Sequence, residues 1–427
     1  RSHDVFVIDH DATVADRLRP LDVEFIHGSG TSAAMLARAR VEACDWFIAC
    51  TGLDEVNVVA CSLANRLGSP ETVCFVSRDD FVRIGDEASL HEHFGIDRVL
   101  WPEAQLADEI LRIVAAPGAI DAEAFAGGEI RLLEYRLQPG SPLLTGIVAG
   151  LHLPRGSLIA AVKRGDRIFI PNGRTRLEPA DKIIVMGTEE AMRQVQARVA
   201  EDGGRRAQQL VTIIGGGDVG FRLAQRLDVR PDLALRVIER DPTRGELLAA
   251  TLARALVLNG DGTDVEFLES EGIGASDVLI SVIDNDERNL LASLIARQLG
   301  VGKTITRVGR MANLRLFERV GIDVALSARG AAVASVLHQI EGGKANLLAV
   351  LEEGQAQIVE IDVPAAFPVT RLRDLAAPPG SIVAAILRGP RALVPRGDDA
   401  VQPHDRLLVF STSDAAQRVR DYFSGTR

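Results

Sequence analysis

Gly215, Gly217 and Gly220 stand at GxGxxG spacing inside "VTIIGGGDVGFRLAQRL", Val211 to Leu227. Glycines so spaced can hold a diphosphate without any charged side chain. The first permits a tight turn, the second lets a ligand approach the backbone, and the third lets a helix pack closely on a strand. The N–H groups of that helix's first turn then face the phosphates. Glu239 follows at roughly the 20-residue interval at which an acid accepts hydrogen bonds from a ribose, and its charge disfavours a 2′-phosphate, so NAD is expected over NADP. The plainer alternative is a glycine turn that serves packing alone.

Two further loops are expected at the same edge of the sheet. "NGDGTD" places Asp261 and Thr263 where a base or ribose would lie, and "DNDERN" offers Asn285, Asp286, Glu287 and Asn289. Asp261 and Asn285 have a second reading as helix caps. Arg307 can either answer a phosphate or pair with Glu287.

These residues need strands to carry them and helices to cover both faces. "QLVTII", "LALRVIE", "ALVL", "DVLISVI", "KTITRV" and "DVALS" are short apolar runs, whereas "ERNLLASLIARQL" and "AAVASVLHQI" place apolar residues at helical spacing. Continuous apolar strands separated by helices predict a doubly wound parallel sheet, a Rossmann-like α/β domain. The pattern occurs twice. The segment from Gly28 aligns without a gap on that from Gly260, pairing Glu55 with Glu287, Asn57 with Asn289 and Gly68 with Gly300, while "VFVIDHD" matches "LRVIERD", so Asp9 corresponds to Glu239. A smaller unit repeats too, from Gly156 and from Gly380, with Pro179 facing Pro403 and Asp181 facing Asp405. Its short strands "IVEIDV", "SIVAAIL", "RALV" and "RLLVFS", with one terminal helix, predict a small α+β domain. Four domains are expected, at 1–117, 118–203, 204–342 and 343–427. The first copy begins at what should be its second strand, so the N-terminus looks truncated and the strand, glycine loop and first helix of that copy are expected to be absent from the chain as given.

Much chemistry is disfavoured. A net charge of −11, with no basic block, argues against nucleic acid as a partner. Cys44, Cys50, Cys61 and Cys74 are expected to be reduced, buried packing residues. His91 and His93 point to different faces of an apparent helix and do not suggest a metal pair, and Asp79 and Asp80 look like solvated loop residues. No apolar run reaches the roughly 20 residues of a membrane span, so a cytoplasmic protein is expected. The four lysines, two tyrosines and eight histidines form no constellation able to donate or accept a proton beside a nicotinamide.

The doubled order of Rossmann and small α+β units, with "TIIGGGDVG", "VIERD", "NGDGTD", "DNDERN" and "GIDVALS", resembles the TrkA family of Trk potassium-uptake regulators, built from regulator-of-potassium-conductance domains. The resemblance spans essentially the whole chain. It implies a regulatory subunit without catalytic activity, a homotetrameric ring held on the inner face of the cell membrane by a TrkH-type potassium-transporting membrane protein. It also implies that NAD(H) and ATP or ADP are the ligands. Carried over by position, the pocket falls on Gly215, Gly217, Asp218, Val219, Gly220, Glu239, Arg240, Asp261, Thr263, Asn285 and Arg307. In the first copy Asp9, Thr31, Thr51, Glu55 and Asn57 match, but Ser29 replaces the acid at Asp261 and Phe75 stands where Arg307 stands in the second. Helices at Pro102–Val114 and Ala328–Ile340 would pack between neighbouring units, or else serve as internal core. The competing class is a nicotinamide-dependent oxidoreductase, and a weaker third reading is the cytosolic portion of a potassium channel or a CoA-type domain protein.

Overall fold

The computed structural model describes residues 3–68, 70–78, 81, 93–199, 208–341, 346–351, 354–389 and 391–424. The expected domain limits at 203/204 and 342/343 lie outside the described residues, as do His91, Asp79 and Asp80. The chain divides into two compact units, Arg1–Gln105 and Leu106–Arg427.

In the first unit, β1 (Phe6–Asp9), α1 (Val14–Leu18), β2 (Glu24–His27), α2 (Ala33–Arg38), β3 (Trp46–Ala49), α3 (Asp54–Gly68), β4 (Glu71–Phe75) and β5 (Arg98–Leu100) succeed one another, and α4 (Pro102–Val114) starts after them. The second unit opens with a five-stranded antiparallel sheet of β6 (Asp121–Phe125), β7 (Ile130–Arg136), β8 (Ser157–Arg164), β9 (Arg167–Phe169) and β10 (Lys182–Thr188), in the order β6-β7-β10-β8-β9, followed by α5 (Glu189–Val199). Next come β11 (Gln209–Ile214), α6 (Asp218–Asp228), β12 (Leu233–Glu239), α7 (Pro242–Thr251), β13 (Leu256–Asn259), α8 (Val265–Ser270), β14 (Val278–Ser281), α9 (Asp286–Gln298), β15 (Thr304–Arg307), α10 (Leu314–Arg319), β16 (Val324–Leu326) and α11 (Ala328–Glu341). Their strands form a wholly parallel sheet in the order β13-β12-β11-β14-β15-β16, the doubly wound arrangement. The last part repeats the antiparallel fold with β17 (Asn346–Leu351), β18 (Ala356–Asp362), β19 (Thr370–Arg371), β20 (Ser381–Arg388), β21 (Arg391–Leu393), β22 (Ala400–Val401), β23 (Arg406–Thr412) and α12 (Ala416–Ser424).

The strand β11 is hydrogen-bonded to both β12 and β14, so it holds the six-stranded sheet together. Among the described residues of the first unit, β1 to β5 correspond to β12 to β16 and no strand corresponds to β11. Its strands accordingly form two separate parallel sheets, β1-β2 and β3-β4-β5. Every residue of β1 is only partly covered, whereas Val237 and Ile238 of β12 are buried. Cys50 corrects the expectation of buried thiols: it is exposed just after β3, while its counterpart Val282 is covered. Cys44 is partly covered, and Cys61 and Cys74 are buried as expected.

Alternation along β11 sends Val211 and Ile213 to one face and Ile214 to the other. The first face packs on Val219, Leu223 and Leu227 of α6 and on Leu106, Ala107, Ile110, Ile113 and Val114 of α4. From Leu106 on, the apolar stripe of α4 is therefore core of the same chain. The opposite face packs on Leu268, Ala292, Ile295 and Ala296. The small domains meet sheet to sheet: Leu132, Ala160, Ile184 and Met186 bury against Ile358, Ala385, Leu408 and Phe410. Each small sheet has a strand beyond those the sequence suggests, β6 and β17, which pair at its edge.

Candidate nucleotide site

Each glycine of the loop after β11 has its own constraint. Gly215 has φ +102°, and a Cβ there would lie 3.1 Å from the Ile283 nitrogen. A Cβ on Gly220 would lie 1.8 Å from the Gly215 carbonyl oxygen, so α6 rests directly on the turn. A Cβ on Gly217 would meet nothing within 4 Å. Gly217 is the N-cap of α6, no side chain caps that end, and the first helical bond runs from Phe221 N–H to Gly217 C=O. The first-turn N–H groups thus face open space with the positive end of the helix dipole behind them. Sequence spacing missed Gly216, where a Cβ would come within 2.4 Å of Leu248 Cδ1 and 2.9 Å of Glu239 Oε2. The run of three glycines was its only signal.

Glu239 ends β12 beside this loop. Its Oε2 accepts from Gly216 N–H at 2.6 Å and its Oε1 from Asp241 N–H at 2.8 Å, which leaves lone pairs for a diol. Asp218 opens α6 and lies 3.7 Å from Arg244, while the Val219 side chain is buried in the core, so only the backbone of Val219 can face a ligand.

Asp261 is not a helix cap; Asp264 caps α8 instead. Asp261 Oδ1 accepts from Thr263 N–H at 2.9 Å, Thr263 Oγ1 at 2.7 Å and Arg288 at 2.6 Å, and Arg240 stands 4.0 Å from Oδ2. Burial pushes this carboxyl up, but the Thr263 hydrogen bonds and the Arg288 guanidinium outweigh it and hold it below the ordinary carboxylate range. Asn285 is a cap: its side chain accepts from Arg288 N–H at 2.8 Å at the start of α9. Arg307 pairs with Asp284 at 3.0 Å and not with Glu287, because the loop leaving β14 passes Asp284 across the end of β15 before α9 begins.

Two residues of "DNDERN" are structural. Asn289, 1% exposed, accepts from Ile283 N–H and Ser281 Oγ and donates to the Ile283 and Arg307 carbonyls, which ties the ends of β14 and β15 together. Asp286 accepts from Gly309 N–H at 2.6 Å, Arg310 N–H at 3.2 Å and Asn313 Nδ2 at 3.0 Å. The first copy repeats both clamps. Asn57 accepts from Thr51 N–H and Oγ1 and donates to the Thr51 and Phe75 carbonyls, and Asp54 accepts from Ser77 and Arg78 N–H. Asp9 accepts from Asp11 N–H, Thr31 bonds Ser29, and Glu55 pairs with Arg78 at 2.9 Å. What the first copy lacks is the charged set. Asp261, Asp284, Arg288 and Arg307 correspond there to Ser29, Gly52, Val56 and Phe75. Asp284 and Arg288 escaped sequence reasoning, and this difference between the copies is the signal that could have found them. Among the described residues, no group of three or more His, Cys, Asp or Glu is placed to hold a metal ion.

The TrkA-N domain family matches residues 1–102 and 211–328, and the TrkA-C domain family residues 132–200 and 357–424. Trk system potassium uptake protein TrkA homolog 1 of Methanosarcina mazei is 38% identical, covering 99% of this chain and 95% of its own length. The TrkA homolog of Archaeoglobus fulgidus is 34% identical over 99% of this chain and 95% of its own, and TrkA of Halomonas elongata 30% over 98% and 92%. The solved structure of the GsuK channel bound to NAD has a similar fold, with a TM-score of 0.62 at 20% identity, over 100% of this chain and 75% of the channel. The GsuK RCK domain gives 0.61 at 19% identity, over 100% and 90%.

Proposed function

Because the chain belongs to the TrkA family, with two TrkA-N and two TrkA-C domains, we propose that it is a nucleotide-binding regulatory subunit of a Trk-type potassium uptake system and that it catalyses no reaction. It works in the cytoplasm as a homotetrameric ring on a TrkH-type transporter, and its ligands are NAD(H) and ATP or ADP. The observation that carries this reading is the N-terminus of α6, uncapped and open at Gly217, with Glu239 beside it to receive a ribose. The NAD-bound GsuK channel, built on the same fold, supports it. In the first copy Asp9, Thr31 and Thr51 are engaged in local hydrogen bonds and the charged set of the second copy is replaced by Ser29, Gly52, Val56 and Phe75, so the second copy is the principal site.

A bound nucleotide regulates only through the difference in its affinity for two arrangements of the protein. The route out of the site starts at Asp286, which joins the α9 end of the pocket to the loop after β15 and to Asn313. Asn313 precedes α10, and Glu318 near the other end of α10 meets Lys182 at 3.4 Å and Arg136 at 4.0 Å on the sheet of the first small domain. Lys182 is also 3.4 Å from Glu134, with both side chains largely buried. Movement of the loop after β15 therefore reaches β7 and β10 through one short helix.

Titration calorimetry on the wild type and Gly217→Trp tests the site. The indole would stand in the open space before the α6 amides, so affinity for both NADH and ATP should be lost. Unchanged affinity for both, or steady oxidation of NADH by a metabolite, would sink the proposal.

A further inference from the structure

The ion pair between Arg307 and Asp284 is unequally held. Arg307 is 19% exposed at the end of β15, whereas the Asp284 side chain is 93% exposed on the loop after β14. That loop runs against the glycine turn: the nitrogen of Ile283, the residue before Asp284, lies 3.1 Å from the Cβ position of Gly215. The guanidinium is therefore paired, 3.0 Å away, with an almost fully exposed carboxylate on the loop that runs against the glycine turn. Both partners are missing together from the first copy, where Gly52 and Phe75 stand, although that copy keeps the Asn57 and Asp54 clamps. The pair is thus not needed to hold the strands.

We propose that Asp284 is a specificity-determining residue, a built-in counter-ion that the terminal phosphate of a nucleoside polyphosphate must displace from Arg307. The proposal rests on the nucleotide reading of this site. A phosphate is a stronger bidentate partner for guanidinium than an exposed carboxylate, and an exposed ion pair is weak enough to be exchanged. The α6 amides take the diphosphate that NADH and ATP share, so Arg307 is left for the phosphate that ATP alone carries. Asp284 opposes that last contact. It therefore lowers the affinity for ATP more than for NADH and sets the ratio at which one replaces the other.

Calorimetric titration of the full chain with ATP and with NADH, in the wild type, Asp284→Asn, Arg307→Met and the double variant, tests this. Asp284→Asn should melt as the wild type does and bind ATP about two- to fivefold more tightly, the range expected from releasing an exposed pair, with a smaller change for NADH. Arg307→Met should weaken ATP, and adding Asp284→Asn to it should then bring no gain. An unchanged ATP affinity in Asp284→Asn, an equal gain for both ligands, or a gain that survives in the Arg307→Met background overturns the proposal. Failure of the wild type to bind either nucleotide overturns the reading of the site itself, and the role of Asp284 with it.

Discussion

Gly220→Ala and Gly217→Ala separate the two tasks of the glycine loop, packing and ligand approach. A Cβ on Gly220 would stand 1.8 Å from the Gly215 carbonyl oxygen, about 1.6 Å short of the 3.4 Å at which ordinary contact begins. Relief needs α6 to withdraw from β11. The face of α6 that packs on β11 carries Val219, Leu223, Ala224 and Leu227, each at most 2% exposed, so withdrawal opens that core. Overpacking of this kind costs about 1–3 kcal/mol, and a clash with backbone lies at the upper end. At roughly 2–4 °C per kcal/mol, the melting temperature should fall by about 6–12 °C. At Gly217 the added methyl meets nothing within 4 Å, and the residue lies at φ −65°, open to any amino acid. Only the exchange of an N-cap glycine for alanine remains, at about 1 kcal/mol or less. The same methyl does obstruct a phosphate. The expected pattern is a destabilised Gly220→Ala beside a Gly217→Ala that melts within a few degrees of the wild type and has lost NADH affinity. Differential scanning fluorimetry with NADH fluorescence titration reads both. Equal melting of the two variants, or full NADH affinity in Gly217→Ala, would refute the assignment of one glycine to packing and the other to the ligand.

The small domains depend on a repeated ion pair, a buried aspartate held by a part-exposed arginine. Arg388 donates twice to Asp405, at 2.7 Å each, and Asp405 is 1% exposed, so Arg388→Met should destabilise by about 2–4 kcal/mol in thermal or urea melts; Arg388→Lys should not restore the loss, because an ammonium cannot make both bonds. Glu109 on α4 is pushed from its ordinary 4.5 up to about 8, first by burial and then by Asp121 and Glu123 against the pull of Arg112. The folded state holds this proton where the unfolded chain has released it, so the contribution of Glu109 to stability falls as pH rises from about 4.5 to 8. Glu109→Gln should therefore gain on the wild type in melts run between pH 5 and pH 8; a constant gap between the two would contradict this. Glu318→Gln should bind nucleotide normally yet lose any nucleotide-dependent change in hydrogen exchange at β7 and β10, and persistence of that change would remove α10 from the route.

The parallel sheet was legible because both of its faces are covered, which makes each strand an apolar run: "QLVTII" and "LALRVIE" are β11 and β12 to the residue. The edge strands were less so. β17, "NLLAVL", directly follows a helix of similar composition, and no period within six residues separates the two. In the loops, residue type was visible but partners were not. Asp286 and Asn289 look like ligand contacts in "DNDERN", yet Asn289 bonds the Ile283 and Arg307 backbone at the ends of β14 and β15, and Asp286 accepts from the loop after β15, which only the sheet order brings near. Arg307 was assigned Glu287 or a phosphate and met Asp284, a neighbour created by the turn leaving β14.

Comparison of the two copies sorts these residues by a criterion that neither copy supplies alone. A side chain that holds strand ends together must persist wherever those strands persist, and Asn57 with Asn289 and Asp54 with Asp286 do so, bond for bond. A side chain that is free of that task need not persist. Asp261 with Arg288, and Asp284 with Arg307, are replaced as whole pairs in the first copy, by Ser29 with Val56 and by Gly52 with Phe75. Loss of one partner alone would have left an uncompensated charge beside the sheet edge. That each pair is present complete or absent complete shows that neither is needed to hold the strand ends together.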